Sequence, residues 1–298
     1  MSLAVQVTPS AGAQASAGRR VPWLQPASLA LLTLWLYAGI LTRLMKQWWS
    51  DPNFSHGFLV PLFSVFLLWR DRARLRNLTA APSYWGLPLI ASAMVMLLLG
   101  SMGAEIFLAR LSLILLILGM IVLFGGWNYA VAVSFPLGFL LLMIPIPAIV
   151  LNQVTLPLQL FASRTAAAAL PWLGVPVFRQ GNVIDLPAKA MEVAEACSGI
   201  RSLMSLITLS VIYGFLLERR LGLRLLLAAA AIPIAVCANA VRIVGTGLLV
   251  QYWSPDKAEG FLHVFSGWLV FLASLIMLFL FHQALVHLPR LSRLPRGF

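Results

Sequence analysis

Long apolar runs, separated by short polar or arginine-bearing stretches, dominate this chain. Eight of them approach the roughly 20 residues that a helix needs to cross a bilayer. They span 24–45, 54–70, 84–101, 105–124, 129–149, 197–217, 222–250 and 262–284. The second begins in a polar loop and contains Pro61. The seventh is long and contains Pro233, which predicts a kink or a tilt. The pattern predicts an all-α fold: a polytopic membrane helix bundle of about eight transmembrane helices, read as one membrane domain without internal repeats.

The basic residues orient the bundle. Arg19 and Arg20 precede the first run, and Arg70, Arg72, Arg74 and Arg76 follow the second. Arg219, Arg220 and Arg224 lie between the sixth and seventh, and Arg290, Arg293 and Arg296 follow the eighth. With eight spans all four clusters fall on one face, which the positive-inside rule assigns to the cytoplasm. Both termini are then cytoplasmic. Residues 1–22 read as a disordered cytoplasmic tail rather than a cleavable signal. Residues 23–286 read as the transmembrane domain, and 287–298 as a basic cytoplasmic tail.

The opposite face receives Asp51–His56, the turn near Ser101–Ala104, residues 150–196 and Gln251–Phe261. The longest of these starts with apolar residues at helical spacing from Ile149 to Leu170, interrupted by Asn152, Gln153, Gln159, Ser163 and Arg164. That predicts an interfacial or re-entrant helix. Val175–Leu186 then predicts a short hairpin turning at Gly181-Asn182, a lid or peptide-docking edge just before Cys197.

Composition narrows the class without changing it. The 298 residues are 61% hydrophobic and 10% charged. The net charge of +12 is punctuation between apolar spans, and no basic soluble domain is present to hold nucleic acid. Two cysteines, Cys197 and Cys237, are too few for a disulfide framework. No cofactor or metal is implied. Cys237 lies mid-span between Val236 and Ala238 and reads as packing.

Candidate chemistry gathers at the outer face. Cys197 lies in Glu195-Ala196-Cys197-Ser198-Gly199-Ile200-Arg201 at a predicted helix start. A helix N-terminus and nearby cations lower a thiol pKa. Arg201 shares its helix face at i+4. Arg242 lies eight residues before the predicted end of the seventh run, roughly 12 Å deep, and an arginine there with no nearby carboxylate needs a distant partner or a functional role. His263 opens the eighth run. Thiol, imidazole and guanidinium are the parts of a nucleophile, its proton carrier and an oxyanion stabiliser. His56, in Asn53-Phe54-Ser55-His56-Gly57, reads first as a loop residue. His282 and His287 near the inner face read as structural.

Six segments together resemble the exosortases, bacterial membrane cysteine transpeptidases related to the archaeosortases. They are Ser55-His56-Gly57-Phe58, Ile144-Pro145-Ile146-Pro147, Gly181-Asn182-Val183-Ile184, Ala196-Cys197-Ser198-Gly199-Ile200-Arg201, Asn239-Ala240-Val241-Arg242, and His263 with Gly267-Trp268. The resemblance implies Cys197, Arg242 and His263 as catalytic residues, with Arg201, Asn239, Ser198 and His56 supporting them. It implies cleavage of exported proteins that end in a tripartite signal: a Pro-Glu-Pro-like (PEP-CTERM) motif, one membrane helix and a basic tail. Cleavage through a Cys197 thioester would occur at the outer face of the inner membrane, with transfer to an unidentified acceptor. The extra C-terminal domain of some family members is not expected here. The competing readings are a transporter using Arg201 and Arg242 as anion ligands, and a non-enzymatic component of exopolysaccharide assembly. The chain has no Gly-x-Ser-x-Gly, His-Glu-x-x-His or paired membrane aspartates, the marks of other intramembrane proteases.

Overall fold

The computed structural model describes residues 24–103, 106–193, 200–253 and 261–287. The predicted tails, 1–22 and nearly all of 287–298, lie outside the described residues. The chain opens with α1 (Leu24–Ser50), a 3-10 segment (Pro52–Phe58), α2 (Leu59–Arg70) and the short α3 (Arg72–Arg76). Next come α4 (Gly86–Met102), α5 (Ile106–Phe124), α6 (Trp127–Ala132), α7 (Ser134–Phe139) and a 3-10 turn (Leu140–Met143). The helix α8 (Ala148–Ala169) leads through a 3-10 turn (Leu170–Leu173) to β1 (Phe178–Gln180), β2 (Val183–Asp185) and β3 (Ala190–Glu192). Three helices complete it: α9 (Ile200–Leu217), α10 (Leu221–Tyr252) and α11 (Phe261–His287).

Six helical segments among the described residues are long and apolar enough to cross a membrane. They correspond to the first, second, fourth, sixth, seventh and eighth predicted runs. The other two take shorter forms. The third is the 17-residue α4. The fifth, predicted as one span over 129–149, breaks into α6, α7 and the turn at Leu140–Met143. Pro136 lacks the amide that would bond the Ala132 carbonyl, where α6 gives way to α7, and Ile144-Pro145-Ile146-Pro147 ends the segment, since a residue before proline is driven out of the helical region. Ile144 is accordingly extended, with φ −86° and ψ 117°. Pro233, in contrast, is accommodated inside the 32-residue α10.

The helices carry their large apolar side chains outward as well as inward. Trp35, Leu62, Val65, Val241 and Trp268 are all exposed. A water-soluble domain does not tolerate so broad an apolar exterior; a helix bathed in lipid does. Two of the arginine clusters meet in space. The guanidinium carbons of Arg70 and Arg224 lie 5.4 and 4.6 Å from the centroid of the same Phe215 ring. The end of α2 and the start of α10 therefore share one end of the bundle, as the eight-span reading requires.

Residues 150–193 fold as predicted in part. The helix forms, and it packs against α10 rather than standing alone. Ala162, Ala166 and Leu170 share a core with Val175, Ile184, Met191, Ile243 and Val250. The hairpin forms at the expected turn, with Gln180 opposite Val183 and Gly181 at φ +63°, a left-handed conformation that favours glycine. A third strand extends it, Ile184 facing Met191. Ser163 Oγ on α8 donates to the Gly181 carbonyl at 3.0 Å. The Ala188 amide donates to Gln251 Oε1 at 3.3 Å. These bonds hold the sheet over the end of α10.

Candidate active site

Arg242 sits ten residues before the end of α10, roughly 15 Å along the helix, because α10 runs two residues past the predicted end. Its Nε donates to Ser266 Oγ on α11 at 3.3 Å. A Cβ added to Gly267 would stand 3.4 Å from the Arg242 Nη2. The glycine thus leaves room for the guanidinium to lie flat against α11. His263 is one turn earlier on the same helix. Its side chain lies outside the described residues.

Asn239, one turn before Arg242 on α10, is buried, and its Oδ1 has no hydrogen-bond partner among the described residues. It borders a cavity of about 20 Å³ shared with Thr155 and Gln159 of α8, Ile200 and Leu203 of α9, and Ala235. That volume accommodates about one water molecule. An orphaned buried carbonyl beside it is a poised acceptor. Ile200 is three residues after Cys197 in the sequence. Cys197 and Ser198 themselves lie outside the described residues. Arg201 is exposed on α9.

α9, α10 and α11 pack mutually. The helix that follows Cys197, the helix that carries Arg242 and the helix that carries His263 therefore form one three-helix unit. Beside Arg242 a cleft of about 580 Å³ runs between α10 and α11, lined by Val241, Gly245, Thr246, Leu249, Ser266 and Leu269. Val241 and Leu269 are also exposed on the bundle surface, so the cleft opens sideways toward lipid.

His56 is not an open loop residue: it is only 9% exposed. Its 3-10 segment packs between α1 and α9. The Asp51 side chain caps that segment by accepting from the Asn53 amide at 2.9 Å. His56 Nδ1 has no partner among the described residues. The next residue must be glycine, because a Cβ at Gly57 would overlap the indole of Trp48. That indole donates to the Met143 carbonyl at 3.0 Å. The histidine is thereby set beside the helix that begins just after the thiol.

Residues 48–280 match the family model of the transmembrane exosortases. The chain belongs to that family. Neither the curated proteins nor the solved structures yield a match. The matched range includes all six resembling segments, and membership of the exosortases accords with a multi-pass membrane bundle.

Two buried polar groups escape sequence reasoning. At the far end of α9, Tyr213 Oη lies 2.7 Å from His282 Nδ1, and His282 Nε2 lies 2.7 Å from Glu218 Oε1. This chain of contacts ties α9 to α11. It gives His282, read from the sequence as structural, partners that no sequence spacing reveals. The other group is Arg110 on α5, 6% exposed. An arginine inside an apolar run was the signal that could have found it, and it is the same signal that singles out Arg242.

Proposed function

We propose that this exosortase is a cysteine transpeptidase that cleaves the C-terminal sorting signal of exported membrane-anchored proteins. Cys197 is the nucleophile, His263 the proton carrier and Arg242 the stabiliser of the developing oxyanion. The observation that carries this reading is Arg242 held at Ser266–Gly267, one turn from His263, in helices that also pack on α9. The thiolate attacks the scissile carbonyl and the carbonyl π electrons move to oxygen, which Arg242 stabilises by charge-assisted hydrogen bonding. Collapse expels the amine, protonated by His263, and leaves a thioester on Cys197. An acceptor nucleophile then gives its proton to His263, attacks the thioester carbonyl and takes the acyl group, expelling the Cys197 thiolate. Asn239 and His56 support the site, and Ser198 and Arg201 flank the thiol.

The lateral cleft fits the substrate class. A signal with one membrane helix and a basic tail would stop with the tail in the cytoplasm and its motif at the outer face. Its helix would lie along α10 and α11, next to Arg242. On this reading the enzyme resides in the bacterial inner membrane with both termini cytoplasmic. The test is cleavage of a tagged tripartite-signal protein in cells. Cys197→Ala should insert normally and leave the substrate uncleaved, and wild type should yield a Cys197-linked acyl adduct. Full cleavage by Cys197→Ala would return the protein to a transport or scaffolding role in polysaccharide export.

A further inference from the structure

Three of the spanning segments end at one aromatic ring. Arg70 is the last residue of the segment Pro52–Arg70, Arg224 is near the start of Leu221–Tyr252, and Phe215 is near the end of Ile200–Leu217. Phe135 of α7 stacks on Phe215, with centroids 3.8 Å apart and planes 9° from parallel, and so takes one face of that ring. The guanidinium carbons of Arg70 and Arg224 stand over the same ring, 5.4 and 4.6 Å from its centroid, and share the other face. Phe215 thereby holds two cations side by side. Each anchors its Nε on the protein: Arg70 donates to Asp71 Oδ1 at 3.0 Å, and Arg224 to the Glu218 carbonyl at 2.7 Å. The two Nη pairs, the broad end of each fork, remain without an acceptor among the described residues. The Arg70 side chain is 39% exposed, so this end of the ring is open to the outside.

The charge here is unbalanced, and the chain holds nothing placed to balance it. Residues 70–76 and 218–224 contain seven arginines and two carboxylates, Asp71 and Glu218. Asp71 is engaged with Arg70, and the Glu218 carboxylate lies 2.7 Å from His282 Nε2. Residues 1–23 and 288–298 contain no aspartate or glutamate. Every other carboxylate side chain follows or precedes the opposite end of a helix: Asp51 after α1, Glu105 between α4 and α5, Asp185, Glu192 and Glu195 before α9, and Asp256 and Glu259 after α10. Like charges held this close repel until an anion lies between them.

We infer that Arg70 and Arg224 clasp the phosphate of an anionic phospholipid. The ends of membrane helices meet the headgroup layer, where basic pockets between helices recognise such lipids. Two observations set this site at that depth. Trp69 is exposed and lies under the Arg72 guanidinium at 4.4 Å, an amphipathic ring of the kind that marks a membrane interface. Leu217, Leu221 and Leu225 are exposed at the same end and offer a surface to acyl chains. The guanidinium fork matches phosphate oxygens in pairs. The bound lipid ties α2, α9 and α10 together at the end of the bundle away from Arg242, which lies 18 residues further along α10, roughly 27 Å. The site stands whatever the catalytic chemistry is.

The test uses the full-length protein, purified in mild detergent and titrated with phosphatidylglycerol or phosphatidylcholine, with bound lipid counted by native mass spectrometry. Wild type should favour phosphatidylglycerol by roughly tenfold or more, the scale of a charge-assisted hydrogen bond. Arg70→Gln and Arg224→Gln should each lose most of that preference. Arg74→Gln removes the same charge from an exposed residue of α3 and should keep it. Equal binding of the two lipids by wild type would overturn the proposal, as would full preference in the Arg70→Gln, Arg224→Gln double variant. An equal loss in Arg74→Gln would overturn it by reducing the site to the summed charge of the cluster. Competition by glycerol phosphate as strong as by phosphatidylglycerol would make the ligand a soluble anion. Displacement of the lipid by an equal concentration of poly-glutamate would assign the two arginines to an acidic protein, and either result would overturn the lipid reading.

Discussion

The Arg242 guanidinium crosses from α10 to α11 and donates to Ser266 Oγ at 3.3 Å. The bond ties the charged end of the side chain to the neighbouring helix. It holds the Arg242 guanidinium at Ser266, three residues after His263 along α11. Processing should therefore depend on the shape of the guanidinium as well as its charge. Arg242→Lys should lose most cleavage, because a point-charge ammonium cannot reproduce the planar fork. Ser266→Ala should weaken cleavage less. Gly267→Val should reduce it, because a Cβ there already touches Nη2 at 3.4 Å and the branched methyls would crowd the guanidinium. Each is read by cleavage of the tagged substrate at matched membrane levels, and full activity in Arg242→Lys would remove the oxyanion role.

Two histidines compete for the proton-carrying role, and substitution separates them. His263→Ala should cost roughly 10²-fold or more in cleavage rate, the usual scale of general acid–base assistance. His56→Ala should cost less, as expected of a supporting residue. A reversal of that order would transfer the proton to His56, whose Nδ1 is buried and unpaired among the described residues.

The 3-10 segment that carries His56 depends on the glycine beside it. Gly57→Ala would push the Trp48 indole off the Met143 carbonyl. Overpacking of this kind costs about 1–3 kcal/mol, so the variant should unfold at lower temperature in detergent. Unchanged thermal stability would show that Trp48 can repack without cost.

At the other end of α9, Glu218→Ala should strand His282 Nε2 and destabilise the bundle by about 1–3 kcal/mol, the cost of an unsatisfied buried group. Glu218→Gln keeps an acceptor there and should cost less. Both are measured by thermal unfolding in detergent. Equal stability of the alanine variant and wild type would deny this contact a role in joining α9 to α11.

Orientation is tested by compartment reporters fused at Thr79 and Lys189. The convergence of Arg70 and Arg224 on Phe215 puts Thr79, just beyond α3, at the arginine-rich end. Lys189 immediately precedes β3, in the sheet that covers the far end of α10. The two reporters should give opposite signals, and matching signals would refute the topology.

The class of this protein was legible from the sequence because lipid imposes a constraint that composition obeys directly. A span must be apolar for about 20 residues, and arginines must gather on one side. The turn at Gly181-Asn182 was equally legible, since it depends on local backbone chemistry. The fifth predicted span was not. Hydropathy counts apolar residues and ignores the amide that proline lacks, so a run broken by Pro136, Pro145 and Pro147 looked continuous. Asn239 and Arg242 could be singled out by their unusual surroundings in an apolar run. That Asn239 faces a water-sized cavity while Arg242 bonds to Ser266 was decided by how α8, α9, α10 and α11 pack. The Tyr213–His282–Glu218 chain and the hydrogen bond from Arg110 Nη2 to Gln47 Oε1 were likewise invisible, because their members stand far apart in the sequence. Helical spacing specifies which side chains share a face; only the packing of one helix on another determines which face meets which.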